Sequence, residues 1–305
     1  MKYLVTGGAG FIGSHIVNEL LDLNHDVIVL DNLSTGYFKN IKDLNVRFIH
    51  GDINDLEICR KVVKGVDAIC HQAALGSVPR SVKDPLASHK SNVNGFLNIL
   101  IAAKENNVKR IVYASSSSVY GDEEILPKVE NKVGNLLSPY AVTKHINEEY
   151  AKIFTRCYGM ECIGLRYFNV FGPRQDPNGP YAAVIPKFID MIKQNKRPTI
   201  NGDGSYSRDF TYVKNVVQAN ILGLTTKNHK CFGEAFNIGA GGRTTIKHLY
   251  ETIAKELHFN EDAIYGNIRE GDIPHSNANI DKAISMLGYV PTISFEEGIN
   301  RLLKN

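Results

Sequence analysis

The sequence is poor in cysteine, nearly neutral, and without a long apolar run. Its five cysteines, Cys59, Cys70, Cys157, Cys162 and Cys231, are scattered along 305 residues. Cys157 and Cys162 have no second pair to complete a zinc site, and His71 beside Cys70 makes no metal motif, so no metal is expected. An odd, dispersed set also excludes a disulfide framework. Reduced, buried thiols fit the cytoplasm, the expected location. A net charge of +3 with no basic run leaves no footprint for nucleic acid. No apolar stretch approaches a membrane span, and a strand pattern begins at Tyr3, so neither a membrane segment nor a signal peptide is expected. There is no internal repeat and no low-complexity tail. What remains, at 43% hydrophobic and 22% charged, is an ordinary globular chain with material for about two domains.

What is present begins at once. Tyr3–Thr6 reads as a buried strand, Gly7, Gly10 and Gly13 open a helix to about Leu23, and the apolar run Val27–Leu30 ends at Asp31. This is the strand, glycine turn, helix, strand and acid of a mononucleotide-binding unit. Gly7 permits the tight turn, Gly10 admits a pyrophosphate to the backbone, and Gly13 lets helix and strand approach. The first helical residues, Phe11 and Ile12, belong to a helix start whose unpaired N–H groups suit phosphates. Asp31 is placed to accept from a ribose diol and repels a 2′-phosphate, so the expected cofactor is NAD rather than NADP.

Strand and helix alternate onward. Asn32, Leu33, Ser34, Thr35 and Gly36 form a polar loop. Val46–His50 is a strand ending at Gly51, Asp52 and Ile53. Asp52 has two open readings: acceptor for an adenine amino group, or N-cap of a helix over Leu56–Val63. Ala68–His71 is a strand followed by Gln72, Ala73 and Ala74, small enough for a cofactor to pass. Residues 85–107 read as one long helix with Asn92 and Asn94 near its middle. Arg110–Ser115 is a strand leading into Ser116–Gly121. Residues 123–138 read as loop, 139–158 as helix, and Glu161–Tyr167 as strand leading to Phe168 and Asn169. The alternation predicts an α/β fold with a doubly wound parallel sheet and ligands at the carboxyl ends of the strands. The polar or glycine-rich stretches fall at those ends. A loop over 169–181, helices over 185–194, 213–225 and 246–257, and short strands at 199–200 and 235–238 make up the rest. The expected division is a cofactor domain over 1–168, to which segments near 209–240 return, and a smaller α/β substrate domain over 169–305.

Tyr140 and Lys144, four apart, share a helix face. A nearby ammonium favours the phenolate, so the expectation is a tyrosine with a lowered pKa, able to take a proton at neutral pH. Ser116, at the neighbouring strand end, is placed to hydrogen-bond the same substrate oxygen. The set suits a hydroxyl oxidised by hydride transfer to a nicotinamide.

The segments TGGAGFIGSH, SSSSVYG, YAVTK and RYFNVFGPRQ resemble the extended short-chain dehydrogenase/reductase family, its nucleotide-sugar branch in particular, along essentially the whole chain. The resemblance implies Tyr140 as base, Lys144 on the nicotinamide ribose, and Ser116 as assistant, four residues before Tyr120. It implies cofactor contacts along the glycine turn, the 31–36 loop, residues 52–53 and 72–74, Asn92 and Phe168. Sugar 4,6-dehydratases of the family carry an Asp-Glu pair just before the Val-Tyr pair, and decarboxylases a Glu; here Ser117 and Ser118 stand there. What is left is 4-epimerisation: oxidation at C4, rotation of the keto sugar, and hydride return. The resemblance also implies a UDP-sugar substrate contacted by Ser77, Ser117, Asn169, Ala183, Val184, Arg208, Arg269, Asp272 and Ser276. Ser276 falls where UDP-galactose 4-epimerases often carry a bulky tyrosine, so a 2-acetamido group is expected to fit. The expected activity is UDP-N-acetylglucosamine 4-epimerisation, with UDP-glucose also accepted; a UDP-glucuronate 4-epimerase or another enzyme of the branch is the alternative. The resemblance implies a homodimer through helices near 90–105 and 141–157, although the same apolar faces can pack internally.

Overall fold

The computed structural model describes residues 1–177, 182–268 and 273–304. Its centre is one parallel sheet built from β1 (Lys2–Thr6), β2 (Asp26–Asp31), β3 (Arg47–His50), β4 (Ala68–His71), β5 (Arg110–Ser116), β6 (Glu161–Tyr167) and a last strand, Ala235–Ile238. Across the sheet the order is Ala235–Ile238, β6, β5, β4, β1, β2, β3. The winding reverses between β1 and β4, and a crevice opens there at the carboxyl ends. This is the doubly wound α/β sheet that the alternation predicts.

The strands read as nearly continuous apolar runs because both faces are covered. Successive side chains go to opposite sides. Leu4, Ile28, Leu30, Ile69 and Ile111 pack with Val62, Phe96, Ile99 and Phe154, from α2 (Leu56–Val63), α5 (Gly95–Glu105) and α6 (Pro139–Tyr158). Their neighbours Tyr3, Val5, Val27, Val29 and Val112 pack with Ile16, Val17, Leu20, Val213 and Val216, from α1 (Phe11–Asp22) and α8 (Val213–Thr225). That second cluster continues into Phe188, Ile200, Leu249, Ile253 and Phe295. The second half is therefore packed onto one face of the sheet by shared apolar contacts. Among the described residues, no helix is long and apolar enough to cross a membrane.

Several expected elements recur closely, and one does not. Residues 85–107 are not one helix. After α3 (Val78–Lys83) come α4 (Pro85–His89), a wide π turn over Lys90–Asn94, and then α5. Asn92 lies in that wide turn, its carboxamide pinned by protein partners on both sides. The second half also holds pieces too short to announce themselves. Val170–Phe171 pairs with Thr211–Tyr212. Ser207–Arg208 lies between Thr244–Thr245 and His275–Ser276.

Candidate active site

The crevice at the switch point is a cavity of about 310 Å³. Gly7, Gly10, Phe11, Ile12 and Gly13 form one wall. Gly7 has φ +69°, and a Cβ there would stand 2.7 Å from the Ala73 nitrogen. A Cβ on Gly13 would stand 2.2 Å from the Gly7 carbonyl oxygen, so close passage of turn and helix requires glycine at both positions. Gly10 is the N-cap of α1 and no side chain caps the helix, which leaves its first N–H groups and partial positive charge directed at the cavity wall.

Asp31, Asn32, Ser34, Thr35 and Gly36 form the second wall, and Asp52 and Ile53 close its end. Asp31 is buried; its carboxylate accepts from the N–H groups of Ala9, 2.9 Å, and Leu33, 2.8 Å. It thus locks the glycine turn to the 32–36 loop. A carboxylate has about four acceptor sites, so two more remain for a diol. Asp52 does not cap α2, because Asp55 does, accepting from Glu57 and Ile58 N–H groups. Asp52 instead accepts from Asn32 and Asn54, and these bonds lower its pKa against the opposing effect of burial.

Gln72, Ala73 and Ala74 form the third wall. The Gln72 carboxamide is oriented by Tyr167 and Asn220, at 3.1 and 3.0 Å. Tyr167, Ser91, Gly76 and Gly51 also line the cavity. Two expected cofactor contacts are not at its surface. Asn92 is fully buried; it accepts from Leu75 N–H and donates to the Leu75 carbonyl and Thr143 Oγ1. It holds the stretch after β4 against α6. Phe168 is also fully buried, packed with Val119, Tyr120 and Ala278. The residue after a buried strand continues into the core here, rather than turning toward the crevice.

Tyr140 and Lys144 stand on the floor where α6 meets β5. Ser138 caps α6 by accepting from Ala141 N–H, and Pro139 occupies its first turn. Ser81, unmarked in the sequence, accepts from Tyr140 N–H at 3.0 Å and fixes the start of the helix from α3. Ser116 is hydrogen-bonded to the Tyr140 side chain and accepts from Ser118 N–H and Oγ. Its neighbour Ser115 is committed elsewhere, donating to Glu148 at 2.6 Å. The serine beside the tyrosine is therefore Ser116. Ser117 is half-buried and follows it into a short turn.

The expected lowering of the tyrosine pKa is not what the structure holds. Burial pushes the Tyr140 phenol up, and the Ser116 hydrogen bond only partly offsets this. The Lys144 ammonium lies 5.9 Å from the ring centroid and donates to the Ala114 carbonyl at 2.8 Å. Burial itself lowers Lys144 to about 8, with Glu148 working the other way. His71, beneath it, is pushed down to about 3 by burial and by Lys144, and bonds Thr6 Oγ1 in its neutral form.

A second cavity, of about 550 Å³, brings together Asn169, Val184 and Arg208 with Lys187, Phe188 and Tyr206. Asn169 has φ +26° and lies two residues beyond Tyr167, so the end of β6 serves both cavities. Arg208 donates to the Ser207 and Pro274 carbonyls. Ala183 is the N-cap of the helix Val184–Lys193 and is exposed. Ser77, Ser116, Ser117, Ala183 and Ser276 line neither cavity. Ser77 caps α3 by accepting from Arg80 N–H, and Ser276 pairs beside Arg208 in the short sheet. Arg269 and Asp272 lie outside the described residues.

A glycine turn at the switch point, a buried acid at the end of the second strand, and Ser116 hydrogen-bonded to Tyr140 with Lys144 one turn on are features shared with nucleotide-cofactor enzymes of the short-chain dehydrogenase type. The chain belongs to the NAD dependent epimerase/dehydratase family, whose model matches residues 3–239. It is 45% identical to a putative UDP-glucose 4-epimerase of Methanocaldococcus jannaschii, over 98% of this chain and 96% of that one. The solved UDP-N-acetylglucosamine 4-epimerase of Methanobrevibacter ruminantium, in complex with UDP-N-acetylmuramic acid, superposes with a TM-score of 0.94 at 42% identity, covering 99% and 97% of the two chains. The UDP-glucose 4-epimerase of Thermotoga maritima, with UDP-glucose, superposes with a TM-score of 0.95 at 36% identity, covering 100% and 98%. The cofactor is NAD, and the cleft suits it: an uncapped helix start, glycines where a Cβ would collide, and a buried acid with acceptor capacity to spare.

Proposed function

We propose that this chain is a UDP-sugar 4-epimerase, acting on UDP-N-acetylglucosamine and its 4-epimer and also on UDP-glucose. The carrying observation is Tyr140 and Lys144 at the cleft floor, with Ser116 hydrogen-bonded to Tyr140 and serines, not carboxylates, at 117 and 118. Gly7, Gly10, Gly13 and the start of α1 would hold the pyrophosphate, Asp31 a ribose diol, and Lys144 the nicotinamide ribose. NAD, when bound, supplies the hydride acceptor for C4 and returns the hydride.

The protein's own residues handle the proton. Tyr140 takes it from the C4 hydroxyl, and Ser116 hydrogen-bonds the same oxygen and holds it in place. Because burial keeps the phenol protonated, the ammonium of Lys144 must offset that cost for proton transfer near neutral pH. With no carboxyl group at 117 or 118, removal of the C6 hydroxyl or of a carboxylate lacks an acid–base partner. Arg208 and Asn169 would grip the diphosphate in the second cavity. A guanidinium suits that task because it stays charged and presents a planar fork. Division into a cofactor part (1–168, with 209–240) and a substrate part (the remainder of 169–305) is part of the same reading. So is a homodimer: α6 exposes Val142 and Ile153, and α5 keeps Leu97 and Ile101 half-buried.

The test is incubation of purified protein with UDP-N-acetylglucosamine, and separately with UDP-glucose and UDP-glucuronate, followed by chromatography of the sugars. Conversion of the acetylated sugar supports the full reading. Conversion of UDP-glucose alone retains the mechanism and discards the substrate. Conversion of UDP-glucuronate alone favours the alternative. Silence toward all three with NAD added overturns the proposal.

A further inference from the structure

Behind the cleft floor lies a buried charged group that the proposed chemistry does not use. We infer that Glu148 is a positioning residue: its one carboxylate ties together the elements that present Ser116, Tyr140 with Lys144, and Tyr167. The inference rests on the epimerase reading above.

The geometry begins with helix periodicity. Lys144 and Glu148 are one turn apart and share a face of α6. Lys144 Nζ donates to the Ala114 carbonyl, and Glu148 Oε1 accepts from Ser115 Oγ at 2.6 Å. Two consecutive residues of β5 are thus pinned to two consecutive turns of α6, and the next residue of β5 is Ser116. Glu148 is held in turn by β6. Arg166 donates from Nε to Oε1, 2.9 Å, and from Nη2 to Oε2, 2.7 Å. Arg166 is itself fixed by the Glu130 carbonyl and by the face of Tyr120. Next after Arg166 on β6 is Tyr167, which lines the cleft and orients Gln72.

Such a pair is poorly explained as a source of stability. Glu148 and Arg166 are 1% and 5% exposed. Taking both charges out of water offsets most of their attraction, and apolar replacements of similar volume are often as stable. A bidentate fork does fix distance and angle, which an apolar contact does not. The carboxylate also acts on its neighbours. The charged or titratable groups facing Lys144 are Tyr140 and Glu148 on its own helix and His71 from β4. Those facing Glu148 are Arg166 from β6 and His145 on α6, with Tyr113 of β5 nearby, and Glu130, Lys152, Glu234 and Lys282 line the cavity that Glu148 borders. His71 stays neutral across the working range, so Glu148 is the group that opposes the effect of burial on Lys144.

The sign follows. Without the negative charge, burial acts on Lys144 unopposed, and its ammonium is lost at lower pH. The experiment is the pH profile of kcat between pH 6 and 10 with NAD supplied, alongside thermal melts, for wild type, Glu148→Gln, Glu148→Asp and Ser115→Ala. For Glu148→Gln the alkaline limb should move to lower pH, so the fold-loss at pH 9 clearly exceeds that at pH 6.5. The acid limb should stay, and Glu148→Asp should restore the alkaline limb. Ser115→Ala keeps both charges and cuts the tie between β5 and Glu148 at a residue that also borders the cleft. It should lower kcat about tenfold, the size of one hydrogen bond lost beside the reacting group, with KM and both limbs unchanged. If Glu148→Gln does not fold, Ser115→Ala decides alone. Equal losses at every pH for Glu148→Gln, or full kcat in Ser115→Ala, would make Glu148 a plain structural strut and overturn the inference. A wild type silent toward every UDP-hexose would instead overturn the functional reading beneath it.

Discussion

The two cavities flanking the end of β6 are built in different ways. The cleft at the switch point is made largely of backbone: a glycine turn, a helix start, and loops locked by buried side chains such as Asp31 and Asn92. The second cavity is made of side chains, Arg208, Lys187, Phe188 and Tyr206, carried on a helix edge and on strands of two or three residues. The first needs residues that are absent, since a Cβ at Gly7 or Gly13 would collide. The second needs residues that are present and aimed. Backbone sites tolerate little and bind one class of ligand. Side-chain sites can be retuned one residue at a time, which is where discrimination between sugars is expected to lie.

The contrast is sharpest at the floor of the first cleft. Tyr140→Phe should lower kcat by roughly 10²- to 10⁴-fold, because it removes the proton acceptor while leaving the walls intact. NAD binding, followed by equilibrium dialysis, should be unchanged; retained turnover would break the assignment of Tyr140. On the other side, Arg208→Ala should raise KM for a UDP-sugar by about 10- to 100-fold, the value of a charge-assisted hydrogen bond, with little change in kcat. A fall in kcat at constant KM would place Arg208 in the chemistry rather than the grip.

His71 tests how much the sheet edge pays to be neutral. Its folded pKa, about 3, lies below the unfolded value of about 6.5. The unfolded chain then binds a proton that the folded chain refuses, so stability falls as pH drops from about 6.5 toward 3, by roughly 1.4 kcal/mol per unit. His71→Gln should flatten that acid limb in urea melts at pH 4 to 7; an unaltered slope would locate the acid sensitivity elsewhere. The smallest effect is expected at Ser276. Ser276 lines neither cavity but pairs with Arg208, which lines the second, so a tyrosine there reaches that wall: Ser276→Tyr should suppress UDP-N-acetylglucosamine roughly tenfold more than UDP-glucose in kcat/KM. Equal effects on the two sugars would remove Ser276 from the sugar side.

The parts of the site that the sequence displays are those where local chemistry and global placement coincide. Gly7, Asp31, Gln72 and Tyr140 each end a strand or start a helix, and each lies at the cleft. Asn92 and Phe168 have the same family resemblance yet sit behind it, because a residue next to a wall and a residue in it have similar surroundings in sequence. Asp52 reads as a possible cap for the helix from Leu56, but the cap is Asp55, the residue immediately before it, and Asp52 bonds Asn32 and Asn54 instead. Composition does not tell Ser115 from Ser116 in a run of four serines, and only the resemblance, by the distance to Tyr120, picks Ser116. The pleat sends Ser115 to Glu148 and Ser116 to Tyr140. Strands of two residues, such as Ser207–Arg208, carry too little periodicity to be read at all.

By itself the sequence determined the sheet, its doubly wound order and the location of the cleft. Those depend on hydrophobic period, glycine and helix capping, all of which act within about thirty residues. It also offered the candidate trio Ser116, Tyr140 and Lys144 of the proposed chemistry. Tertiary structure decided the state of that trio. Burial raises Tyr140 and lowers Lys144; the Ser116 hydrogen bond partly offsets the first and Glu148, from the next turn of α6, opposes the second. A pKa is the sum of every charge and every lost water around a group, and those neighbours are assembled only when distant segments fold together.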